Sequence, residues 1–217
     1  MEVMEMFVLG VDLSGPSNHK DTAAALFHLE GKDLNLLSLK SGLSDSDILE
    51  IVSGTAGAPL AAGLDAPLSY NDGGGDRPSD SWFRKELSRH GLRPSSIMPP
   101  TLTRMVYLTV RGISLASMME RVKPGVWIAE VHPGAALMTR LSEKEKEHGL
   151  LYKKSDESRS YLIDWFRTQH IHGVTGALST HETDAVAAAM AVRDWILAQP
   201  KAFFPKEPPH HPYDLLC

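Results

Sequence analysis

The sequence predicts a single α/β domain, and three observations carry that prediction. Phe7-Val8-Leu9-Gly10-Val11 is a nearly continuous apolar run, as expected of a strand buried on both faces, and the turn-forming Asp12-Leu13-Ser14-Gly15-Pro16 ends it. Thr22 to Leu29 and Leu34 to Leu39 are β-compatible runs on either side of Glu30-Gly31-Lys32-Asp33, the pattern of a tight hairpin. Ser179-Thr180-His181-Glu182 fits a helix-opening capping box with Ser179 as N-cap, and Ala185, Ala188, Ala189, Val192 and Ile196 continue it. The apolar face of that helix is made of small residues, so it can lie close to a sheet.

The elements follow in order. Three antiparallel strands open the sheet. Ser44-Asp45-Ser46-Asp47 starts a helix with acids in its first turn and Ile48, Leu49 and Val52 on its apolar stripe. Leu60 to Leu64 is a second buried strand, and like the first it ends in an acid and a turn, Asp65-Ala66-Pro67. Residues 71–100 are rich in Gly, Pro and Ser, with a short helix expected around Trp82 to Leu87. The stretch 71–111 therefore reads as an insertion or lid. A helix is expected near Ile113 to Arg121. The apolar run Val126 to Ala129 then ends at Glu130-Val131-His132-Pro133, where His132-Pro133 reads as a rigid turn. Residues 143–148 read as a solvated charged stretch, and Tyr161, Leu162, Trp165 and Phe166 mark a packed helix. The domain is expected to span 1–199, and the Pro- and His-rich 200–217 to be a surface-hugging or loose tail.

The bulk composition narrows the function. With 217 residues, 42% hydrophobic and 23% charged, the chain has the make-up of an ordinary globular protein. Its one cysteine, Cys217, leaves no intramolecular disulfide, thiolate metal cluster or conventional cysteine nucleophile. Glu2 and Glu5 stand where a secretory signal needs positive charge, and no apolar run approaches the roughly 18 residues of a membrane span. A cytoplasmic protein with no membrane association is expected. The net charge of −5 gives no global positive field of the kind a nucleic-acid binder uses. Basic residues nevertheless concentrate between Arg77 and Arg111, with Arg84, Lys85, Arg89, Arg93 and Arg104 against only Asp80 and Glu86, so a phosphate-binding face is expected there.

Chemistry is expected where strands end in acids. Ligands of open α/β sheets bind outside the carboxyl ends of the strands, so Asp12, Asp65 and Glu130 are placed to converge, and Asp184, one turn into the last helix, to join them. Carboxylates that close repel one another unless a cation neutralises them. Hard oxygen ligands suit Mg²⁺ or Mn²⁺, and two such ions roughly 3.5–4 Å apart stabilise the attacking and leaving oxygens of a phosphodiester. His181 lies three residues before Asp184 on the same helix face, and the helix N-terminus favours its neutral imidazole. Arg77 is a candidate for bidentate binding of phosphate, with Asp80 as its companion. Each residue also has a plainer reading. Asp12 and Asp65 suit turns, Asp184 suits a helix dipole, Glu130 suits an ion pair with an arginine, and Arg77 with Asp80 suits a structural pair.

Five segments arrive in an order that resembles a known family. They are Gly10-Val11-Asp12-Leu13-Ser14-Gly15, Gly63-Leu64-Asp65-Ala66-Pro67-Leu68, Gly75-Asp76-Arg77-Pro78-Ser79-Asp80, Glu130-Val131-His132-Pro133 and Glu182-Thr183-Asp184-Ala185. Together they resemble the uncharacterised predicted nucleases of ribonuclease-H-like fold, the domain of unknown function 429. The resemblance implies a three-layer fold with a mixed central sheet and helices on both faces. It also implies Asp12, Asp65 and Asp184 as metal-binding acids, with Glu130 as a further acid near them. His181 and Asp184 are also similar to the histidine-x-x-aspartate pair of Holliday-junction resolvases.

The expected function is a divalent-metal-dependent nuclease or phosphodiesterase. Its catalytic group would be Asp12, Asp65, Glu130, His181 and Asp184, its metal ligands Asp12, Asp65 and Asp184, and its substrate contacts Arg77, Asp80, Arg84 and Arg104. Nucleic acid is the expected partner. Two other readings stand beside it: a phosphotransferase of the sugar-kinase and actin group, which shares a Gly-x-Asp-x-Ser-Gly start but needs two such domains, and a non-catalytic binding module on the same fold.

Overall fold

A computed structural model describes residues 5–217; Glu2 of the amino-terminal reading lies outside the described residues, as does the start of the expected domain at residue 1. Among the described residues the sheet has eight strands in the order β6-β3-β2-β1-β4-β5-β8-β7. The opening hairpin pair is β1 (Glu5–Asp12), β2 (Ala23–Glu30) and β3 (Asp33–Ser41), with β2 antiparallel to both neighbours. β4 (Leu60–Asp65) and β5 (Trp127–Val131) then extend the sheet in parallel on the other side of β1. This order, with helices on both faces, is the ribonuclease-H-like three-layer arrangement.

Period-two alternation along the strands assigns the two cores. Met6 and Val8 of β1, Ala61 of β4 and Ala129 of β5 face one layer, which holds α2 (Pro78–Arg89), α4 (Pro133–Met138), α6 (Asp156–Thr168) and α7 (Thr180–Ile196). Leu9, Val11, Ala62, Leu64 and Ile128 face the other, which holds α1 (Asp45–Gly54) and α3 (Val106–Val122). Helix α7 lies unusually close to the sheet. A Cβ on Gly10 would fall 2.0 Å from the Ala185 carbonyl oxygen, and one on Gly63 would fall 2.6 Å from Val192. The missing side chains on β1 and β4, facing an alanine-rich helix, are what allow the approach. The capping box of α7 forms as expected, with Ser179 Oγ accepting from Glu182 N at 3.1 Å.

Several expectations change. Helices α2 and α3 are longer than the sequence suggested, and α2 contributes Phe83 and Leu87 to the core. His132-Pro133 is the start of α4, with His132 Nδ1 accepting from Ala135 N. The charged stretch 143–148 runs into α5 (Lys146–Leu151), and the short strand β6 (Ile171–His172) joins the β3 edge. The expected loose tail is instead part of the sheet: β7 (Phe203–Phe204) pairs with β8 (Asp214–Leu216), and β8 runs parallel to β5. Leu215, Leu216 and Cys217 are buried there. Burying this apolar end covers the open edge of β5, which the proline count of the segment did not reveal. Among the described residues no helix is long and apolar enough to cross a membrane.

Candidate metal centre

Register builds the centre. Asp12 and Asp65 are the last residues of parallel neighbours β1 and β4 and are direct partners in the ladder, so both side chains leave the sheet on the same face at the same level. That face is the one covered by α7. Because Gly10 and Gly63 draw α7 onto β1 and β4, Asp184 is carried over the strand ends. One carboxylate oxygen from each of Asp12, Asp65 and Asp184 lies within 4.8 Å of the others. Asp12 and Asp184 are buried, and Asp65 is partly so.

Three close acids in a poorly solvated place are electrostatically costly. Burial, then the Asp184 charge, pushes the Asp12 carboxyl above the usual carboxylate range, with His181 working against the rise. Burial and the charges of Asp12 and Asp184 push Asp65 up further. An all-oxygen donor set that resists ionising without a counter-charge fits a hard divalent cation.

The chain supplies some counter-charge itself. His181 Nδ1–H donates to Asp12 Oδ2 at 2.7 Å, and this bond raises the imidazole pKa. The helix N-terminus by itself favours a neutral ring; the contact with Asp12 outweighs that dipole. Tyr152 OH donates to Asp184 Oδ1 at 2.5 Å, and Lys153 Nζ stands 3.0 Å from Asp184 Oδ2. Burial tends to lower the Lys153 pKa, but Asp184 and the other two acids more than offset it. Tyr152 and Lys153 sit between α5 and α6 and carry no local signal in the sequence. Nothing in Leu150-Leu151-Tyr152-Lys153-Lys154 marks them, because only the packing of α5 on α4, and of α4 on α7, brings them to Asp184.

Glu130 does not join the three aspartates. The ladder aligns it with Leu64, one residue short of Asp65, so its side chain leaves the opposite face of the sheet. There it accepts from Leu68 N at 2.8 Å and from Arg77 Nη1 and Nη2 at 2.7 and 2.6 Å. Arg77 is 3% exposed, lines the cavity that also takes in Asp65, and is held there by contacts within the fold. Its Nε and Nη2 also donate to Asp80, and its Nη1 to Ser69, so all five guanidinium N–H groups are engaged within the fold. Asp80 is likewise buried, and its Oδ2 accepts from Arg77 N to close the first turn of α2. Arg84 is half-buried and paired with Asp76, and Arg104 is exposed.

A cavity of about 210 Å³ adjoins Asp65, with Arg77, Asp80, Glu130, His132 and Lys153 also on its wall. A larger hollow of about 460 Å³ lies between Trp127, Trp195 and Tyr213 and includes none of the three aspartates. The chemistry therefore points to the smaller one.

A family model described as "Protein of unknown function (DUF429)" matches residues 10–210. No curated protein matches the chain. Two solved structures are similar to it. The first, "Thermus thermophilus RuvC structure", has a TM-score of 0.46 and 15% identity over 89% of this chain and 98% of that one. The second, "T. thermophilus RuvC in complex with Holliday junction substrate", has a TM-score of 0.45 and 14% identity over 89% and 96%. At these identities no residue role is carried across.

Proposed function

The chain belongs to the DUF429 family, and from that premise we propose that it is a divalent-metal-dependent nuclease that hydrolyses phosphodiester bonds of nucleic acid. The observation that carries this reading is the convergence of Asp12, Asp65 and Asp184 from β1, β4 and α7 at strand carboxyl ends, where two of the acids resist ionisation. These three would hold Mg²⁺ or Mn²⁺, which when bound would supply Lewis-acid polarisation of the phosphate and neutralise the developing charge.

The remaining roles fall to the chain. His181 holds a proton against Asp12 Oδ2 on a side chain that is 41% exposed, so it is available as an acid toward a leaving oxygen. Lys153, beside Asp184 with its side chain 59% exposed, presents positive charge to a phosphate entering the centre. Tyr152 fixes the Asp184 carboxylate through its hydroxyl. Glu130, Arg77 and Asp80 act as a positioning network that ties the loop after β4, through Leu68 and Ser69, to β5 and α2. Arg84 and Arg104 remain candidate contacts for the nucleic-acid backbone.

The test is incubation of the purified chain with Mn²⁺ or Mg²⁺ and single-stranded, duplex and branched DNA and RNA. Metal-dependent cleavage that Asp12→Asn and Asp184→Asn each abolish is the expected result. Cleavage unaffected by either substitution would overturn the reading.

A further inference from the structure

A second group of metal-ligating side chains lies at the edge of the sheet opposite β7. Strand β6 is two residues long, and its alternation buries Ile171 while placing His170 and His172 on the same outward face. β6 runs parallel to β3, with Leu34 opposite Ile171 and Asn35 opposite His172. The first residue of β3, Asp33, is thereby set between the two rings. Its Oδ1 accepts from His170 Nδ1 at 3.1 Å and from His172 Nε2 at 2.9 Å. One ligand atom from each of the three residues lies within 4.8 Å of the others.

These separations are close to what a coordinated cation needs. With metal–ligand bonds of about 2.0 Å, the edge of a tetrahedron is about 3.3 Å, so the two nitrogen–oxygen distances would open by only a few tenths of an ångström. Ring orientation is already set by backbone. His170 takes φ 61°, a left-handed conformation rare for a residue with a side chain, and its carbonyl is held by Leu34 N at 2.9 Å. The side chains are 40–46% exposed, and the hollow beside them is walled by Glu30, Gly31 and Asn35, which leaves room for water as a further ligand. Two imidazoles and one carboxylate suit a borderline cation of the zinc type and not the hard Mg²⁺ or Mn²⁺ proposed for the aspartate centre.

We propose that Asp33, His170 and His172 form a separate transition-metal site, for Zn²⁺ or an ion of similar preference, that clamps edge strand β6 to β3. The bound cation replaces the two imidazole N–H hydrogens that now bridge to Asp33, so both rings ligate as neutral imidazoles and the carboxylate stays ionised. Because the site includes no residue of the aspartate centre, it stands or falls independently of the nuclease reading.

The experiment uses the full chain carrying Asp12→Asn, to weaken the aspartate centre as a competitor. Zn²⁺ binding is measured by equilibrium dialysis and calorimetry, and Co²⁺ is added as a spectroscopic probe. One Zn²⁺ per chain, a rise in Tm with Zn²⁺ and a visible Co²⁺ spectrum of mixed nitrogen and oxygen ligation are expected. All three should be lost in His170→Ala/His172→Ala, and also in Asp33→Asn, which keeps an oxygen acceptor for the rings but removes the anionic ligand. Circular dichroism confirms that each variant is folded. Zn²⁺ binding that persists in the folded double-histidine variant, or no Zn²⁺ binding by the folded Asp12→Asn chain, would overturn the proposal.

Discussion

Arg77 and Glu130 face each other as a bidentate pair, Nη1 to Oε2 at 2.7 Å and Nη2 to Oε1 at 2.6 Å, on the wall of the cavity that also takes in Asp65. Removing one partner of such a pair strands a buried charge, which costs about 3–5 kcal/mol. Arg77→Ala is therefore expected to be among the most damaging single substitutions in this chain. Urea unfolding should show it, with Arg104→Ala, at an exposed position, within about 0.5 kcal/mol of the parent. If Arg77→Ala proved as mild as Arg104→Ala, the positioning role given to the pair would be wrong.

The contact of α7 with the sheet makes a sharp contrast between two glycines. A methyl group at Gly10 would lie 2.0 Å from the Ala185 carbonyl oxygen and 2.5 Å from Ala189 N, both backbone, whereas Gly15 has nothing within 4 Å. Gly10→Ala must push α7 off β1 or fail to fold, a loss of about 3 kcal/mol or more, and Gly15→Ala should be nearly neutral. Displacing α7 also moves Asp184 and His181, so any soluble Gly10→Ala protein should bind Mn²⁺ more weakly.

Asp65 links stability to pH. Its carboxyl is raised well above the ordinary value near 3.8 by burial and by its two aspartate neighbours. The folded chain thus holds this proton more tightly than the unfolded chain does. The contribution to stability is present below the ordinary value and is lost as pH rises through the raised one. In metal-free protein Asp65→Asn should raise Tm at neutral pH by about 2–4 °C for each kcal/mol regained, with the gain vanishing in acid. Added Mn²⁺ should stabilise the parent more than the variant, and increasingly as pH rises. A thermal-shift series in pH and Mn²⁺ checks all of this, and a Tm for metal-free Asp65→Asn below that of the parent at neutral pH would contradict it.

Lys153 competes with a cation for Asp184. A unit charge about 4 Å from the centre repels a divalent ion by roughly 2 kcal/mol in bulk water, before solvent and side-chain motion reduce it. Lys153→Ala is expected to tighten Mn²⁺ binding severalfold while lowering cleavage, because the residue proposed to receive the phosphate is gone. Calorimetry and rate measurements separate the two effects. Weaker Mn²⁺ binding in Lys153→Ala would show that the lysine supports the acids in some other way.

How far the sequence reaches is visible residue by residue. The apolar runs ending at Asp12 and Asp65, the hairpin around Glu30 to Asp33 and the Ser179–Glu182 capping box are local patterns, set by side-chain period and turn chemistry within a few residues. They determined the three opening strands, the α/β class and the positions of Asp12, Asp65 and Asp184 at element ends, and the ribonuclease-H-like arrangement was implied by the family resemblance of the five segments that carry them. What the sequence left open depends on pairings between distant segments. Nothing local fixes that β5 aligns Glu130 with Leu64, and that single step of register gives its carboxylate to Arg77 and leaves it outside the aspartate triad. Nor does anything local bring Lys153 and Tyr152 to Asp184, bury residues 214–217 beside β5, or set Asp33 between His170 and His172. Sequence period decides which face of its own strand or helix a residue takes; only the packed sheet and helices decide what that face meets.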